Sequence, residues 1–297
     1  MRVTQSMLSS NSLRNLSESY RKMGKYQDQL ATGKKIARPS DDPVVAMKGM
    51  FYRSNLTEVE QYKRNLSELY LWMENSEAGI DQANKGLQRV RELVIQGKNG
   101  SLSPSDREAV AREIEQIKND LVQVANTQVS GRYIFHGTDT DHPPVKMVDG
   151  KPVVEANVND PAINTYKVEI SRGVSLQANV NPAKLFNQEL FDVVQGIQKA
   201  LEDDKPADLD GLLSSLDGVM DNLAAERSEL GARYNRLEMV DDRISQQEVM
   251  ASRILSDNED ADIERVITDL KTQESVHRAA LGVGARIIQP TLLDFLR

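Results

Sequence analysis

Apolar residues recur every seven positions along two long segments of this chain. The first series is Val45, Tyr52, Val59, Leu66, Met73, Ile80, Leu87 and Val94, and the second is Leu209, Leu216, Leu223, Leu230, Leu237, Ile244 and Ala251. A strict seven-residue repeat is typical of long helices that wind around one another, because a straight helix of about 3.6 residues per turn drifts off such a repeat. The pattern therefore predicts two long helices that pack in a coiled coil or helical bundle.

Composition narrows the class of protein. The 297 residues include no cysteine, only 5% are aromatic, and the net charge is −8. The absence of cysteine excludes disulfides and thiolate chemistry, and few aromatic residues leave little material to line a deep ligand pocket. No run approaches the roughly 20 apolar residues of a membrane helix, and the first residues do not begin a cleavable secretion signal. We expect a structural protein and not an enzyme, with no cofactor and with no nucleic acid or membrane partner.

The two ends of the chain carry opposite charge. Residues 1–40 contain eight Lys or Arg and two acids, whereas residues 200–275 contain twenty acids and eight bases. Two solvated faces without mutual contact would show the same asymmetry, because exposed ion pairs contribute little and salt screens them. The alternative, which the order of the predicted elements favours, is that the two ends lie side by side.

Helix-start and turn signals divide the chain. An amphipathic helix is predicted over residues 5–32, and a second over 43–97, with Asp42 as its N-cap and Pro43 in its first turn. A capped helix start is predicted at Ser103 to Asp106, and two β-hairpins are predicted to turn at Asp149-Gly150 and Arg172-Gly173. Helical patterning resumes near Pro182.

The predicted fold class is mainly α, an elongated coiled-coil or helical-bundle rod formed by the N- and C-terminal regions, with a small β-rich insert domain at its tip. We expect residues 1–42 and 256–297 to be terminal helices that form an inner assembly coiled coil. Residues 43–131 and 187–255 are predicted to form the long helical bundle, and residues 132–186 the insert.

The terminal helices carry apolar residues that we predict to be assembly contacts, because a chain that ends in uncovered apolar surface needs a partner. These candidates are Leu13, Leu16, Tyr20, Met23, Leu30, Ile263, Val266, Ile267, Leu270, Leu292, Leu293 and Leu296. A competing hypothesis places a metal-binding enzyme in the insert, where His136, Asp139, Asp141 and His142 fall within seven residues. A polar turn that leads into Pro143-Pro144 is the simpler interpretation.

The run from Gln29 to Pro43 resembles the amino-terminal motif of the flagellin family. Its segment Arg38-Pro39-Ser40-Asp41-Asp42-Pro43 is more similar to the hook-associated branch of that family than to filament flagellins, which typically have Ala-Asp-Asp-Ala there. Residues 131–138 and 260–264 are also similar to that branch. The paired carboxylates Asp41 and Asp42 are predicted to cap a helix and not to form a catalytic pair.

The resemblance implies a subunit of the bacterial flagellum that joins the hook, through an adjacent hook-associated junction protein, to the flagellin filament. It also implies self-association in a hollow helical assembly, and export as an extracellular protein through the flagellar type III apparatus with an export chaperone. Two other functions stay open, a short flagellin that forms the filament itself and a coiled-coil adaptor inside the cytoplasm.

Overall fold

The chain folds into two compact units, and the computed structural model describes residues 5–98, 103–155, 158 and 165–288. The first, which we call the terminal unit, comprises residues 1–58 and 247–297. The second, the central unit, comprises residues 59–246. Two long helices, Pro43–Lys98 and Leu209–Glu259, contribute residues to both units. The three-part domain scheme stays a prediction, and this division places residues 43–58 and 247–255 with the terminal helices.

Helices dominate the described residues, as the sequence predicts. The helices are α1 Gln5–Thr32, α2 Pro43–Lys98, α3 Pro104–Ala125, α4 Pro182–Leu185, α5 Gln188–Glu202, α6 Leu209–Glu259 and α7 Ile263–Ile288, and a 3₁₀ turn spans Pro206–Asp208. The strands are β1 Gln128–Val129, β2 Arg132–Tyr133, β3 Val145–Val148, β4 Lys151–Val154, β5 Lys167–Ser171 and β6 Val174–Gln177. The mainly α class with a small β-rich insert is confirmed.

Both seven-residue series face the protein interior. From Val59 to Val94, every member of the α2 series is buried, and all seven members of the α6 series are buried. The first two members of the α2 series, Val45 and Tyr52, are half-buried. Ile254, near the end of α6, is 40% exposed. The repeat thus marks the inward faces of the two long helices.

Four helices pack around the core of the central unit. Gly86 of α2 lies against Ile117 and Leu121 of α3, and Gly196 of α5 lies against Leu212 of α6. Ion pairs join the exposed edges of α2 and α6, for example between Arg91 Nε and Asp217 Oδ1 at 2.8 Å, and between Arg227 and Glu77. Gly86 and Gly196 have no side chain, so the paired helices can approach closely at these two positions.

The insert consists of antiparallel hairpins that pack on the helices. In the described residues, three pairs are formed, β1 with β2, β3 with β4, and β5 with β6. The predicted turn at Asp149-Gly150 is confirmed, and both residues have positive φ (49° and 74°), as a two-residue hairpin turn of type I′ requires. The hairpin after β5 is confirmed too. The first strand begins at Gln128, four residues before the predicted start of the insert at 132.

In the terminal unit, α1 and α7 pack along one another. Gln273 Nε2 of α7 donates to Ser19 Oγ of α1 at 2.7 Å, and the amide of Ala261, just before α7, donates to the carbonyl oxygen of Gly33, just after α1, at 2.8 Å. Late residues of α1 therefore face early residues of α7, so the two helices run antiparallel. The prediction that the two ends of the chain lie side by side is confirmed for α1 and α7.

Candidate assembly surface

A seam of inward-facing residues holds α1 against α7. Its members recur at alternating steps of three and four residues, which is the spacing of an antiparallel coiled coil. The seam consists of Ser9, Ser12, Leu16, Ser19, Met23, Tyr26 and Leu30 on α1, and of Val266, Leu270, Gln273, His277, Ala280 and Gly284 on α7, all of which are buried or half-buried. Large apolar residues occupy the end nearer the α1 C-terminus, and small residues occupy the opposite end.

A polar layer interrupts the apolar contacts of the seam. It consists of Ser19, Gln273 and His277. Ser19 is only 6% exposed, and its Oγ lies 2.7 Å from Gln273 Nε2 and 3.3 Å from His277 Nδ1. The His277 ring is tilted against the ring of Tyr20, with centroids 6.1 Å apart. The hydroxyl is therefore satisfied by side chains of the partner helix, although it is nearly removed from solvent.

The predicted assembly residues divide between the seam and the outer surface. Leu16, Met23, Leu30, Val266 and Leu270 lie in the seam. The other described candidates are exposed and form what we call the outer apolar set: Leu13 (56%), Tyr20 (67%), Ile263 (42%) and Ile267 (40%). Leu292, Leu293 and Leu296 lie outside the described residues. A contact of the outer apolar set with another chain stays a prediction.

The Arg38–Pro43 motif forms the connection between α1 and α2. Asp42 Oδ1 accepts hydrogen bonds from the amides of Val44 and Val45 at 3.0 and 3.1 Å, which is the arrangement of an N-cap. Asp41 Oδ2 accepts from the amide of Arg38 at 2.9 Å, which closes the turn before the cap. Both carboxylates therefore satisfy backbone donors, and the predicted capping role of Asp42 is confirmed. Pro39 and Ser40 lie in this turn and are exposed.

A group of charged residues, here called the terminal cluster, ties the α1–α2 connection to the α6–α7 connection. Its members are Lys34, Arg53, Glu259 and Asp260. Lys34 Nζ lies 2.7 Å from Asp260 Oδ1 and 3.7 Å from Glu259 Oε2. Backbone pairing reinforces the contact, because the amide of Lys35 donates to the carbonyl oxygen of Glu259 at 2.7 Å. Segments far apart in sequence are thus joined by ionic and main-chain contacts together.

Glu259 is the buried member of the terminal cluster, with 5% of its surface exposed. Arg53 Nε lies 2.8 Å from its Oε1, a charge contact without the angles of a good hydrogen bond. The carboxylate rests against Gly49 of α2, where a Cβ atom would lie 2.5 Å from Oε1. Glycine at this position therefore makes room for the buried charge. A cavity of about 220 Å³ beside it is lined by Arg38 and Met50 among others.

The ion pair of the terminal cluster shifts the pKa of both partners. The hydrogen bond from Lys34 lowers the pKa of the Asp260 carboxyl, and a second hydrogen bond from Ser256 Oγ, at 2.5 Å, acts in the same direction. The hydrogen bond to Asp260 raises the pKa of Lys34, against the smaller effect of partial burial. Both groups thus hold their charged forms more strongly than in an unfolded chain.

The histidine-rich run of the insert forms a local turn. His136 is fully buried and its Nδ1 donates to the carbonyl oxygen of His142 at 2.7 Å, while His142 Nδ1 donates to Asp139 Oδ1 at 2.9 Å. This hydrogen bond lowers the pKa of Asp139. Among the described residues, no three His, Cys, Asp or Glu side chains are grouped to hold a metal ion. Over the same residues, no helix is both long and apolar enough to cross a bilayer.

Sequence reasoning missed most of the terminal cluster and the polar layer. Ser19 and Gln273 give no hydropathy signal, although both fall on the seven-residue repeat of their helices. In the sequence, the terminal cluster is indicated only by the opposite charges of the basic pair Lys34-Lys35 and the acidic pair Glu259-Asp260. Neither Gly49 nor Arg53 could be assigned to it without the structure.

Two family models match this chain. The first describes the bacterial flagellin N-terminal helical region and matches residues 3–140, and the second describes the bacterial flagellin C-terminal helical region and matches residues 213–296. The chain belongs to the flagellin family. The matched ranges include both terminal helices, α2, and α6 from residue 213 onward, so they contain the seam and the terminal cluster. The resemblance of the Gln29–Pro43 run is confirmed, and a flagellin-family chain assembles with other flagellar components.

The similar proteins include hook-associated members of the family. The chain is 25% identical to flagellar hook-associated protein 3 of Escherichia coli, over 94% of this chain and 95% of that protein. The fold is similar to that of a putative flagellar hook-associated protein from Vibrio parahaemolyticus, with a TM-score of 0.67, 24% identity, and coverage of 74% of this chain and all of that one. It is also similar to the flagellar junction protein of Legionella pneumophila, with a TM-score of 0.58, 16% identity, and coverage of 72% and 100%.

Proposed function

We propose that this flagellin-family chain is a structural, non-catalytic subunit that joins the hook of the bacterial flagellum to its filament. The observation that carries the proposal is the outer apolar set on the α1–α7 pair. Leu13, Tyr20, Ile263 and Ile267 remain 40 to 67% exposed after the two helices have packed on one another. Apolar residues on a second face of a paired helix mark a surface that another chain covers.

The two faces of the α1–α7 pair have different roles in this proposal. The seam residues are covered within one chain, since α1 and α7 pack on one another and these residues are buried or half-buried. The outer apolar set has no cover of comparable extent, and further exposed apolar residues extend it, namely Met7, Leu8, Val276, Leu281 and Val283. Burying a large apolar side chain contributes about 1.5–3 kcal/mol, so several such residues supply a substantial driving force for association.

The partners that fit this surface are other subunits of the flagellum. We propose copies of this chain as lateral neighbours, a second hook-associated junction protein on the hook side, and flagellin on the filament side. Full-length similarity to hook-associated protein 3 of Escherichia coli supports the junction position. The same proposal includes an extracellular location, reached by export with a chaperone.

Substitution of the outer apolar set tests the proposal without removing the helices. In the variant with Leu13→Asp and Ile267→Asp, both changes lie at exposed positions, so we expect unchanged melting of the monomer. Filament growth on hooks should nevertheless be lost, because each charge opposes burial against a neighbour. The matched control carries Asn15→Asp and Thr272→Asp, at exposed polar positions of the same helices, and should retain growth.

Normal filament growth with the doubly charged variant would contradict the proposal. Deletion of residues 263–297 provides a second measurement, and we expect a helical central unit that still melts cooperatively but does not support assembly. Long filaments formed by the purified chain alone would indicate a flagellin instead. Absence of the chain from sheared flagella and culture medium would indicate a cytoplasmic adaptor, and tight zinc or manganese binding that requires His136 and His142 would indicate a metalloenzyme.

A further inference from the structure

We propose that the polar layer of Ser19, Gln273 and His277 fixes the register in which α1 pairs with α7. By doing so, it selects this pairing over shifted pairings. The inference concerns the helix pair itself and goes beyond the proposed function. It does not depend on which part of the flagellum contains the chain.

Because the seam residues repeat every seven positions, α1 and α7 could pair in more than one register. Leu16, Met23 and Leu30 are spaced by seven residues, and so are Val266 and Ala280 around Gln273. A shift of α1 by seven residues along α7 would therefore return apolar residues to the seam. Apolar contact alone distinguishes such states weakly, since the hydrophobic effect is not directional.

The polar layer distinguishes the shifted states because its groups are buried. A shift in one direction would bring Ser12 to Gln273 and His277, and would place Ser19 between Val266 and Leu270. There the hydroxyl would have no side-chain partner. A shift in the other direction would bring Tyr26 to the layer and leave Ser19 beside small residues.

In each shifted state, at least one polar group of the seam loses the bond that it makes in the structure. Leaving a buried polar group unsatisfied costs about 1–3 kcal/mol, which exceeds the net gain from an ordinary hydrogen bond. A polar residue in an otherwise apolar coiled coil is known to set register and partner choice in this way, at some cost in stability.

The terminal cluster is the alternative determinant of register. It joins the α1 C-terminus to the α7 N-terminus through Lys34 and Asp260, and so holds one end of the pair. Ser19 lies fifteen positions before Lys34, a distance of roughly 20 Å along a helix. The experiment must therefore show whether the cluster suffices or whether the polar layer is needed.

Cysteine cross-linking can measure register directly, because the chain contains no cysteine of its own. The in-register pair is Leu16→Cys with Ala280→Cys, two positions that line the same cavity between the helices. The shifted pair is Met23→Cys with Ala280→Cys, which differs by seven residues on α1. Each pair is placed in the full-length chain and equilibrated in a glutathione redox buffer. Disulfides are then assigned by peptide mass spectrometry, and linked dimers by non-reducing gel electrophoresis.

Each cysteine pair is combined with three forms of the polar layer. The first is the natural layer, and the second is an apolar layer in which all three residues become leucine. The third is a surface control with three leucines at exposed positions of the same helices, Ser17→Leu, Thr272→Leu and Arg278→Leu. The surface control adds the same kind of side chain without changing the seam.

With the natural layer and with the surface control, we expect the in-register disulfide to predominate. The apolar layer should lower the ratio of in-register to shifted disulfide by about tenfold or more, which corresponds to the loss of one or two hydrogen bonds. The helix pair should nevertheless remain folded.

An unchanged ratio with the apolar layer would overturn the proposal, because the terminal cluster would then set the register alone. Absence of the in-register disulfide with the natural layer would also overturn it. Ser19→Ala gives a further measurement that does not require the leucine variant to fold. It removes the hydroxyl that Gln273 and His277 share as a hydrogen-bond partner, so the in-register disulfide should decrease severalfold.

Discussion

Replacement of Leu223 by aspartate tests whether the α6 series packs the core of the central unit. Leu223 is 1% exposed and belongs to the same buried cluster as Leu216 and Leu230, one repeat before and after it. Its neighbour Ala224 is exposed on the same helix. The variants Leu223→Asp and Ala224→Asp therefore introduce the same side chain into the same helix, and differ only in whether it is buried.

The expected loss of stability follows from two contributions. Truncation of a buried leucine, as in Leu223→Ala, lowers the free energy of unfolding by about 2–5 kcal/mol. An unpaired carboxylate adds a desolvation cost, so we expect Leu223→Asp to lose at least about 5 kcal/mol in total. For a unit of this size, roughly 2–4 °C of melting temperature per kcal/mol gives a decrease of at least about 10 °C. Ala224→Asp should lose less than about 1 kcal/mol.

Tryptophan fluorescence can follow the central unit selectively. Trp72 is the one tryptophan of the sequence, is 3% exposed, and lies 5.4 Å from the ring of Tyr166, centroid to centroid. Urea and thermal unfolding of the three variants, monitored by this residue, give the free energies of unfolding. The difference between Leu223→Asp and Leu223→Ala should increase from acidic to neutral pH, because burial raises the pKa of the introduced carboxyl.

The reasoning would be refuted if Leu223→Asp and Ala224→Asp unfolded at the same urea concentration. A difference between Leu223→Asp and Leu223→Ala that did not change with pH would show that the introduced carboxyl reaches solvent.

Two further predictions concern the terminal unit. Gly49→Ala would place a Cβ atom 2.5 Å from Glu259 Oε1, so we expect faster amide hydrogen exchange in α1 and α7. Gly24→Ala is the matched control, because its Cβ atom would meet no atom within 4 Å. This control should instead stabilise α1 by about 0.5–1 kcal/mol. The bond from Lys34 lowers the pKa of Asp260 in the folded chain, so its contribution is present above the unfolded pKa and is lost as the pH falls through the folded value. Asp260→Asn should remove that part of the acid dependence, and an unchanged acid unfolding profile would contradict the assigned ion pair.

The long helices could be predicted because their signals are local and repetitive. Helix α6 is predicted from apolar residues that recur every seven positions from Leu209 to Ala251, within one segment. The capping box at Ser103 and Asp106 is likewise a signal of only four residues. The hairpin at Asp149-Gly150 is similarly local, since both residues tolerate positive φ. In each case the sequence determines the structure through neighbours in the chain.

The seam of α1 could be predicted only in part, because hydropathy does not mark small polar residues. Leu13 and Tyr20 fall on an apolar stripe with Leu16 and Met23, yet they lie on the outer surface, while Ser19 lies in the seam. The helix has apolar residues on two faces, so apolar spacing cannot tell which face meets α7. That choice depends on the shape and hydrogen bonding of the partner helix.

The terminal cluster could not be predicted because its partners are distant in sequence. Lys34 and Asp260 are 226 positions apart, and Glu259 is buried where Gly49 of another helix leaves room for its carboxylate. Opposite charge at the two ends of the chain indicates that such a contact is favourable. It does not indicate which lysine meets which carboxylate.

The distance in sequence between Lys34 and Asp260 has a consequence for the time at which the terminal unit can form. At a synthesis rate of about 5–20 residues per second, the carboxylate is made roughly 10–45 s after the lysine. Helix formation is fast on this scale, and the central residues can pack as soon as they are complete. During that interval α1 lacks the helix that covers its inner face, and both of its apolar faces are open to other molecules. The order of synthesis therefore sets the period in which a chain of this design must be protected from premature association.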